Sequence, residues 1–302
     1  MAKGTTETKT IDTLVQDIYN LFTSDKGTVA KEEDLKLFAE SVVSSVVSSL
    51  TERRSEEQYK KLRLSLIGHP NRKIWYTVNR KTEKQNLSGP TLIKFLYGDI
   101  LEHLLILLCK TAGHKVEELQ KELEVAGVKG HHDAIVDDFL VDFKSASPYG
   151  FKKFKEGHIV HDDPFGYIAQ ISAYAKANGK TEAAFVAIEK SSGEICVCPV
   201  NRMEMINPET RINEIKTFLK NKEPPPKCYD PVPDGKSGNM RLAVGCDFCD
   251  FKRECWKDAN GGKGLRTFAY ASGQKTFTEI YREPDVPEIM VDVDLSESTS
   301  ND

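Results

Sequence analysis

The chain has 302 residues, with 42 lysines and arginines against 46 aspartates and glutamates, for a formal net charge of −4. That length points to about two domains, or to one with extensions, and the near balance of charge excludes a globally basic nucleic-acid binder, so any basic surface must be local. The longest apolar run, Leu104 to Cys109, falls far short of the roughly 20 residues a membrane span needs, and the opening MAKGTTETKTIDTLVQ lacks the apolar core of a secretory signal. A cytoplasmic protein with no membrane partner is expected. In that reducing setting the seven cysteines are not disulfides, and clustered ones are metal ligands.

In chain order, residues 1 to about 10 are polar and expected to be disordered. Ile11 to Phe22 has helical spacing, with Leu14, Ile18, Leu21 and Phe22 on one face. Ala30 to Arg53 forms a second helix, striped by Leu35, Leu37, Phe38, Val42, Val43, Val46 and Val47. Residues 1–60 are thus an N-terminal helical extension, and 61–223 the main domain. Gly68-His69-Pro70-Asn71 marks a turn or a helix start. Arg72, Lys73, Arg80, Lys81 and Lys84 make the next stretch basic, with Trp75 and Tyr76 interleaved. Such a pattern tracks phosphates and stacks bases, or else lays a charged helix face over core aromatics. Core is the favoured reading for the two aromatics. Ser88 to Ala112 is a strongly apolar helix expected to be buried on most sides, with Glu102 and His103 in its middle. A carboxylate there is costly unless paired or bound to a metal. Val116 to Val128 supplies one or two strands.

Gly130 to Lys144 reads GHHDAIVDDFLVDFK. Two short apolar runs flank Asp137-Asp138, the signature of a β-hairpin. Asp133 heads the first strand, and Asp142 and Lys144 stand on one face at the tail of the second. The hairpin brings the two carboxylates and the ammonium to one sheet edge. Two hard oxygen ligands suit Mg²⁺ or Mn²⁺. The residues SASPYGFKKFKEGHIVHDDP that follow are expected to form a long polar loop holding Lys152, Lys153 and Lys155. Beyond it come a helix over Phe165 to Ala177, strands over Ala183 to Ile188 and Ile195 to Val200, and a helix over Arg211 to Lys220. Residues 224–272 hold Cys228, Cys246, Cys249 and Cys255, and 273–302 read as an acidic, largely disordered tail.

The order of these motifs resembles the RecB-like branch of the PD-(D/E)XK nucleases, in a version most similar to bacteriophage exonucleases: Gly98-x-x-x-Glu102, Gly130-x-x-Asp133, Asp142-x-Lys144, Gln170-x-x-x-Tyr174, then Cys246, Cys249 and Cys255 in C-x2-C-x5-C spacing, with Trp256 after the last cysteine. The resemblance covers roughly residues 60 to 260. It implies an α/β fold with a PD-(D/E)XK nuclease core, a mixed central sheet flanked by helices, and a cysteine-cluster segment packing on that core. The family often has histidine where this chain has Glu102. Related viral exonucleases use glutamate at that place, so the resemblance assigns Glu102, and His103, about 100° away around the helix, is the weaker choice.

What the resemblance implies for chemistry is specific. Glu102, Asp133, Asp142 and the carbonyl of Phe143 would hold Mg²⁺ or Mn²⁺, Lys144 would orient water or stabilise charge, and Gln170 and Tyr174 would support the site. The cysteines would hold a [4Fe–4S] cluster, with Zn²⁺ as the alternative. Cys228 is the preferred fourth ligand over His69, while Cys109, Cys196 and Cys198 read as core and strand residues. The implied activity is a metal-dependent exonuclease acting from DNA ends, in phage recombination or DNA degradation. Alternatives are a structure-specific or single-strand endonuclease, and a non-catalytic DNA-binding subunit. The implied partners are linear DNA, single- or double-stranded, and a single-strand-annealing protein or helicase. Arg72, Lys73, Lys152, Lys153 and Lys155 are the candidate DNA contacts.

Overall fold

The computed structural model describes residues 9–25, 27–51, 60–79 and 89–289. The first eight residues, Arg80, Lys81, Lys84 and the tail from 290 lie outside them. The chain divides into two compact units: Met1–Pro70 with Thr77–Glu223, and Asn71–Tyr76 with Pro224–Asp302. The main helices are α1 (Leu14–Thr23), α2 (Glu32–Thr51), α3 (Asn71–Asn79), α4 (Gly89–Thr111), α5 (Pro148–Lys155), α6 (Tyr167–Ala177) and α7 (Pro208–Phe218). The strands are β1 (Val116–Glu117), β2 (Glu122–Val125), β3 (Val128–His131), β4 (Ala134–Val136), β5 (Phe139–Ala146), β6 (Ala183–Glu189) and β7 (Ile195–Val200), followed in the second unit by β8 (Val232–Pro233), β9 (Met240–Arg241), β10 (Arg266–Tyr270) and β11 (Gly273–Glu279).

The first unit is a mixed α/β core, as expected. Its central sheet has the order β1-β4-β5-β6-β7. Only β5 and β6 are parallel, with Leu140 opposite Ala183; the other pairs are antiparallel. A parallel pair needs a crossover, and α5 and α6 form it. The expected hairpin is present: Val136 pairs with Phe139. Asp137 and Asp138 turn the chain with φ +47° and +70°, the left-handed pair that a two-residue hairpin turn requires. Buried His114 sits with Nδ1 2.6 Å from Asp137 and Nε2 3.3 Å from Asp17, so it links that turn to α1.

Alternation along β5 sorts its side chains. Val141 and Phe143 join the core made with Ile11, Leu14 and Ile18 at the N-terminus and Leu105, Ile106 and Cys109 of α4. Asp142 and Lys144 face the other way. On that side Phe185 of β6 meets Phe154 and Tyr167, with ring centroids 5.4 and 6.1 Å away.

Three expectations need correction. The polar loop after Lys144 contains α5. Ser147 accepts a hydrogen bond from the Gly150 amide as N-cap, Pro148 opens the helix, and Phe151 and Phe154 are buried. The burial expected around α4 holds only for its second half, where Leu105, Ile106 and Cys109 are buried. Leu92, Ile93, Phe95 and Tyr97 are exposed. Twenty-three residues of helix run about 35 Å, whereas the eight of β5 run about 26 Å, so the sheet cannot cover the whole helix. The third correction lies in the second unit, whose four-stranded antiparallel sheet has the order β10-β11-β9-β8. Residues 273–279, read as the start of a disordered tail, are its inner strand β11. Phe277 there is fully buried, and Arg266 of β10 binds Glu283 and Glu288 beyond it.

Candidate active site

The catalytic candidates come from four places in the first unit. Register sets the first two. Asp133 precedes β4, and its Oδ2 accepts the backbone N–H of Phe143 at 2.8 Å. Asp142 is almost fully buried and lies against the Lys144 ammonium. Lys144 also stands 4.6 Å from the Tyr167 ring centroid. Glu102, on α4, accepts a hydrogen bond from Gln120 at 2.6 Å. His103, the alternative, bonds Ser45 of α2 instead at 3.0 Å. On α6, Gln170 donates to the Tyr174 hydroxyl at 3.3 Å, and the two lie one helical turn apart.

One of the motif glycines has a steric reason. A Cβ on Gly130 would stand 2.8 Å from Leu64 Cβ and 3.1 Å from the Tyr174 ring. A Cβ on Gly98 would meet Ser145 Oγ of β5 at 3.4 Å, an ordinary contact. Gly68 and Gly166 touch backbone to backbone; a Cβ on either would fall 2.2 Å from the other. That contact fixes the start of α6, the helix carrying Gln170 and Tyr174.

Like charges are crowded at this place. Burial, then Asp142 and Asp99, push the Glu102 carboxyl up to about 7. Burial, then Asp142 and Glu102, raise Asp133 well above the usual carboxylate range. Burial opposes the charge of Lys144, but Asp142 and Asp133 hold its pKa above that of an ordinary lysine. Tyr174 is raised by burial and by the Asp142 charge. Asp142 Oδ1 is buried without a hydrogen-bond partner. An orphaned carboxylate oxygen among mutually repelling carboxylates is the donor chemistry a hard divalent cation satisfies, so the residues fit Mg²⁺ or Mn²⁺. The carboxylates are within Coulombic range and not drawn to one point: among the described residues no three His, Cys, Asp or Glu side chains are grouped so as to hold a metal ion as they stand.

Of the seven cysteines, four lie in the second unit. Cys109, Cys196 and Cys198 are buried in the first unit, and burial pushes the Cys109 thiol up to about 12. Cys246 is pushed up to about 11 by burial, and the charges acting on it are those of Cys249, Cys228 and Cys255. Cys228 is thus within Coulombic range of Cys246. The carbonyl of His69, in the first unit, accepts from Arg211 at 3.0 Å. One N–H group serves the thiols: Arg72 Nε donates to Cys255 Sγ at 3.1 Å. Four uncrosslinked thiols in one unit, one of them with an N–H donor, are the donor chemistry of a thiolate-bound metal or cluster, although among the described residues no three of them are grouped so as to hold one as they stand.

The candidate DNA contacts fare differently. Arg72 is engaged within the second unit, donating also to the Pro225 carbonyl at 2.6 Å and the Tyr76 hydroxyl at 3.3 Å. Lys73 acts on Cys249. Lys152, Lys153 and Lys155 all lie on α5, paired with Glu156 at 3.8 Å, Asp162 at 2.5 Å and Glu194 at 2.5 Å. Trp75 and Tyr76 are buried, as favoured. Sequence reasoning missed Tyr167 and Gln120. Tyr167 could have been found as an aromatic one turn before Gln170; nothing local pointed to Gln120.

No protein-family model matches the sequence, and no curated protein does. Among solved structures, one described as SSO0001 is similar at a TM-score of 0.40 and 16% identity, over 71% of this chain and 94% of that one. An alkaline exonuclease (LHK-Exo) from Laribacter hongkongensis gives 0.34 and 16%, over 62% and 94%. LHK-Exo in complex with dAMP gives 0.34 and 18%, over 61% and 92%. Likeness this distant transfers no role to any residue.

Proposed function

We propose that the first unit is a RecB-like PD-(D/E)XK nuclease, a metal-dependent DNA exonuclease that hydrolyses phosphodiester bonds from DNA ends. The observation that carries this reading is that Glu102, Asp133, Asp142 and Lys144, from separate elements, lie within Coulombic range of one another, with Tyr174 and its partner Gln170 facing them. Glu102, Asp133 and Asp142 would hold Mg²⁺, with the Phe143 carbonyl as a further ligand. Bound there, the ion supplies Lewis acidity toward the scissile phosphate and acidifies the attacking water. Lys144 is held protonated by Asp142 and Asp133, so it does not serve as the general base. It orients the water through its N–H donors or steadies negative charge on the phosphate. Tyr167 limits where that ammonium can swing. Gln170 steadies the Tyr174 hydroxyl, which faces the same carboxylates.

In the second unit Cys228, Cys246, Cys249 and Cys255 would hold a [4Fe–4S] cluster, or Zn²⁺. The role is structural, since ligation free energy at such a site is also folding free energy. The deciding experiment incubates linear and covalently closed circular DNA with Mg²⁺ and either wild type or Lys144→Ala. Loss of linear DNA alone, abolished by the substitution, is expected. Prompt nicking of circles would replace the exonuclease by an endonuclease. DNA binding without cleavage of either form would leave a DNA-binding subunit.

A further inference from the structure

β1 and β2 run antiparallel to the segment that ends in β4, but not in one continuous register. Glu117 pairs with Ile135. Glu122 pairs with His131. Between them the Gln120 amide donates to the Asp133 carbonyl at 3.0 Å, and the His132 amide to the Lys121 carbonyl at 3.3 Å. Going from Glu117 to Gln120 takes three steps on one side, while Ile135 to Asp133 takes two on the other. One residue is extra, which defines a β-bulge, and a bulge re-aims the side chains beside it. Glu118 and Gln120 take up the surplus with φ +51° and +50°, the left-handed region that non-glycine residues avoid. The bulge lies opposite Asp133.

The result is a single residue bonded to both Asp133 and Glu102, to the first at its backbone carbonyl and to the second at its carboxylate. The Gln120 main chain holds the Asp133 carbonyl, and its side-chain Nε2 donates to Glu102 Oε1 at 2.6 Å. We infer that Gln120 is a positioning residue of the metal site, which uses the bulge at 118–120 to aim its amide at Glu102 and hold that carboxylate for ligation. The inference rests on the nuclease reading. Its physical content is that Glu102 comes from α4 and Asp133 from the hairpin, so nothing covalent near either sets their spacing; Gln120 does. Partners that orient metal-ligating carboxylates matter nearly as much as the ligands, and their loss costs about 10- to 100-fold in metal affinity or activity.

The test uses Gln120→Gly and Gln120→Asn. Glycine adopts φ +50° without strain and keeps the amide bonded to Asp133. Asparagine also tolerates that backbone but is one methylene too short to reach Glu102. Mn²⁺ binding is titrated on DNA-free protein by the spin-resonance signal of unbound Mn²⁺, with wild type and Asp142→Ala in parallel. Both Gln120 variants should bind Mn²⁺ about 10-fold or more weakly and melt no lower than wild type. Their KM for DNA should be unchanged, with kcat recovering as Mn²⁺ is raised. Wild-type affinity in both variants overturns the inference and leaves the nuclease reading standing. A wild type whose Mn²⁺ binding is absent, or unaffected by Asp142→Ala, removes the nuclease reading and this inference with it.

Discussion

The carboxylate centre of the first unit and the thiol centre of the second solve the same problem from opposite ends. Glu102, Asp133, Asp142 and Lys144 arrive from a helix and a hairpin, and their spacing depends on strand register, on a bulge and on glycine contacts. Without a cation they repel one another. Three of the four thiols share the stretch from Cys246 to Cys255. Burial raises the pKa of those three thiols, and a metal bound there would take their protons. On the proposed reading the first centre is placed by the fold before any ion binds, whereas the second is close in sequence and its ligation would add to the fold. Removing a ligand should therefore cost chemistry in one and structure in the other.

The largest contrast is between Asp142→Ala and Cys228→Ser. Asp142→Ala should lower cleavage of linear DNA by about 10³-fold or more, since several kcal/mol of transition-state charge stabilisation disappear, while leaving melting within a few degrees of wild type. Near-normal cleavage by gel assay refutes the assignment. Cys228→Ser should give the reverse. Anaerobically purified wild type should be brown with the visible absorbance of thiolate-bound iron; the variant should be colourless, less soluble and lower melting. A colourless wild type with stoichiometric zinc keeps the ligands and discards the iron. A brown Cys228→Ser, bleached instead by His69→Ala, transfers the fourth ligand to His69.

A frame substitution should sit between these. Gly166→Ala would drive a Cβ into the Gly68 backbone at φ +77°, costing about 3 kcal/mol or more of stability in urea unfolding. Gly130→Ala meets movable side chains and should cost about 1–3 kcal/mol, with kcat falling because Tyr174 must shift. An unchanged urea midpoint for Gly166→Ala would mean that the two backbones do not touch in solution.

The smallest effect is a pH dependence. Glu102 binds its proton more tightly folded than unfolded, so metal-free protein should lose stability as pH rises from about 4.5 to about 7 and level off above. Asp133 contributes in the same direction. Mg²⁺ should restore stability at the alkaline end of that window. Glu102→Gln should flatten the Tm profile; a profile as steep as wild type would place the titration elsewhere.

The residues legible in the sequence were those whose signal is local. Glu102 was chosen from its place four residues after Gly98 in the motif the chain resembles, with helical angle counting against His103, and the Asp137-Asp138 turn announced the hairpin. Cys228 could be preferred because a short glycine-containing loop joins it to the other thiols. Gln120 could not be read, because its role comes from a register offset between segments that find each other only in the fold. Helix α5 was hidden for another reason. Ser147-Pro148 reads equally as a turn and as an N-cap with a first-turn proline, and only the burial of Phe151 and Phe154 decides. Strand β11 was masked by the acidic composition around it, which averages over the alternating residues that pair.

The position of β11 has a consequence for how the second unit is made. It is the inner strand that joins β10 to β9, and it is synthesised after β8, β9, β10 and every cysteine of the thiol centre. As the chain leaves the ribosome, those thiols are complete while the sheet of their unit still lacks the strand that closes it. For that interval they are reduced, solvent-accessible sulfur on an unfinished sheet, open to oxidation and to stray metals. Timely loading of the centre, or a chaperone that covers the segment until β11 arrives, would decide how much of the protein matures.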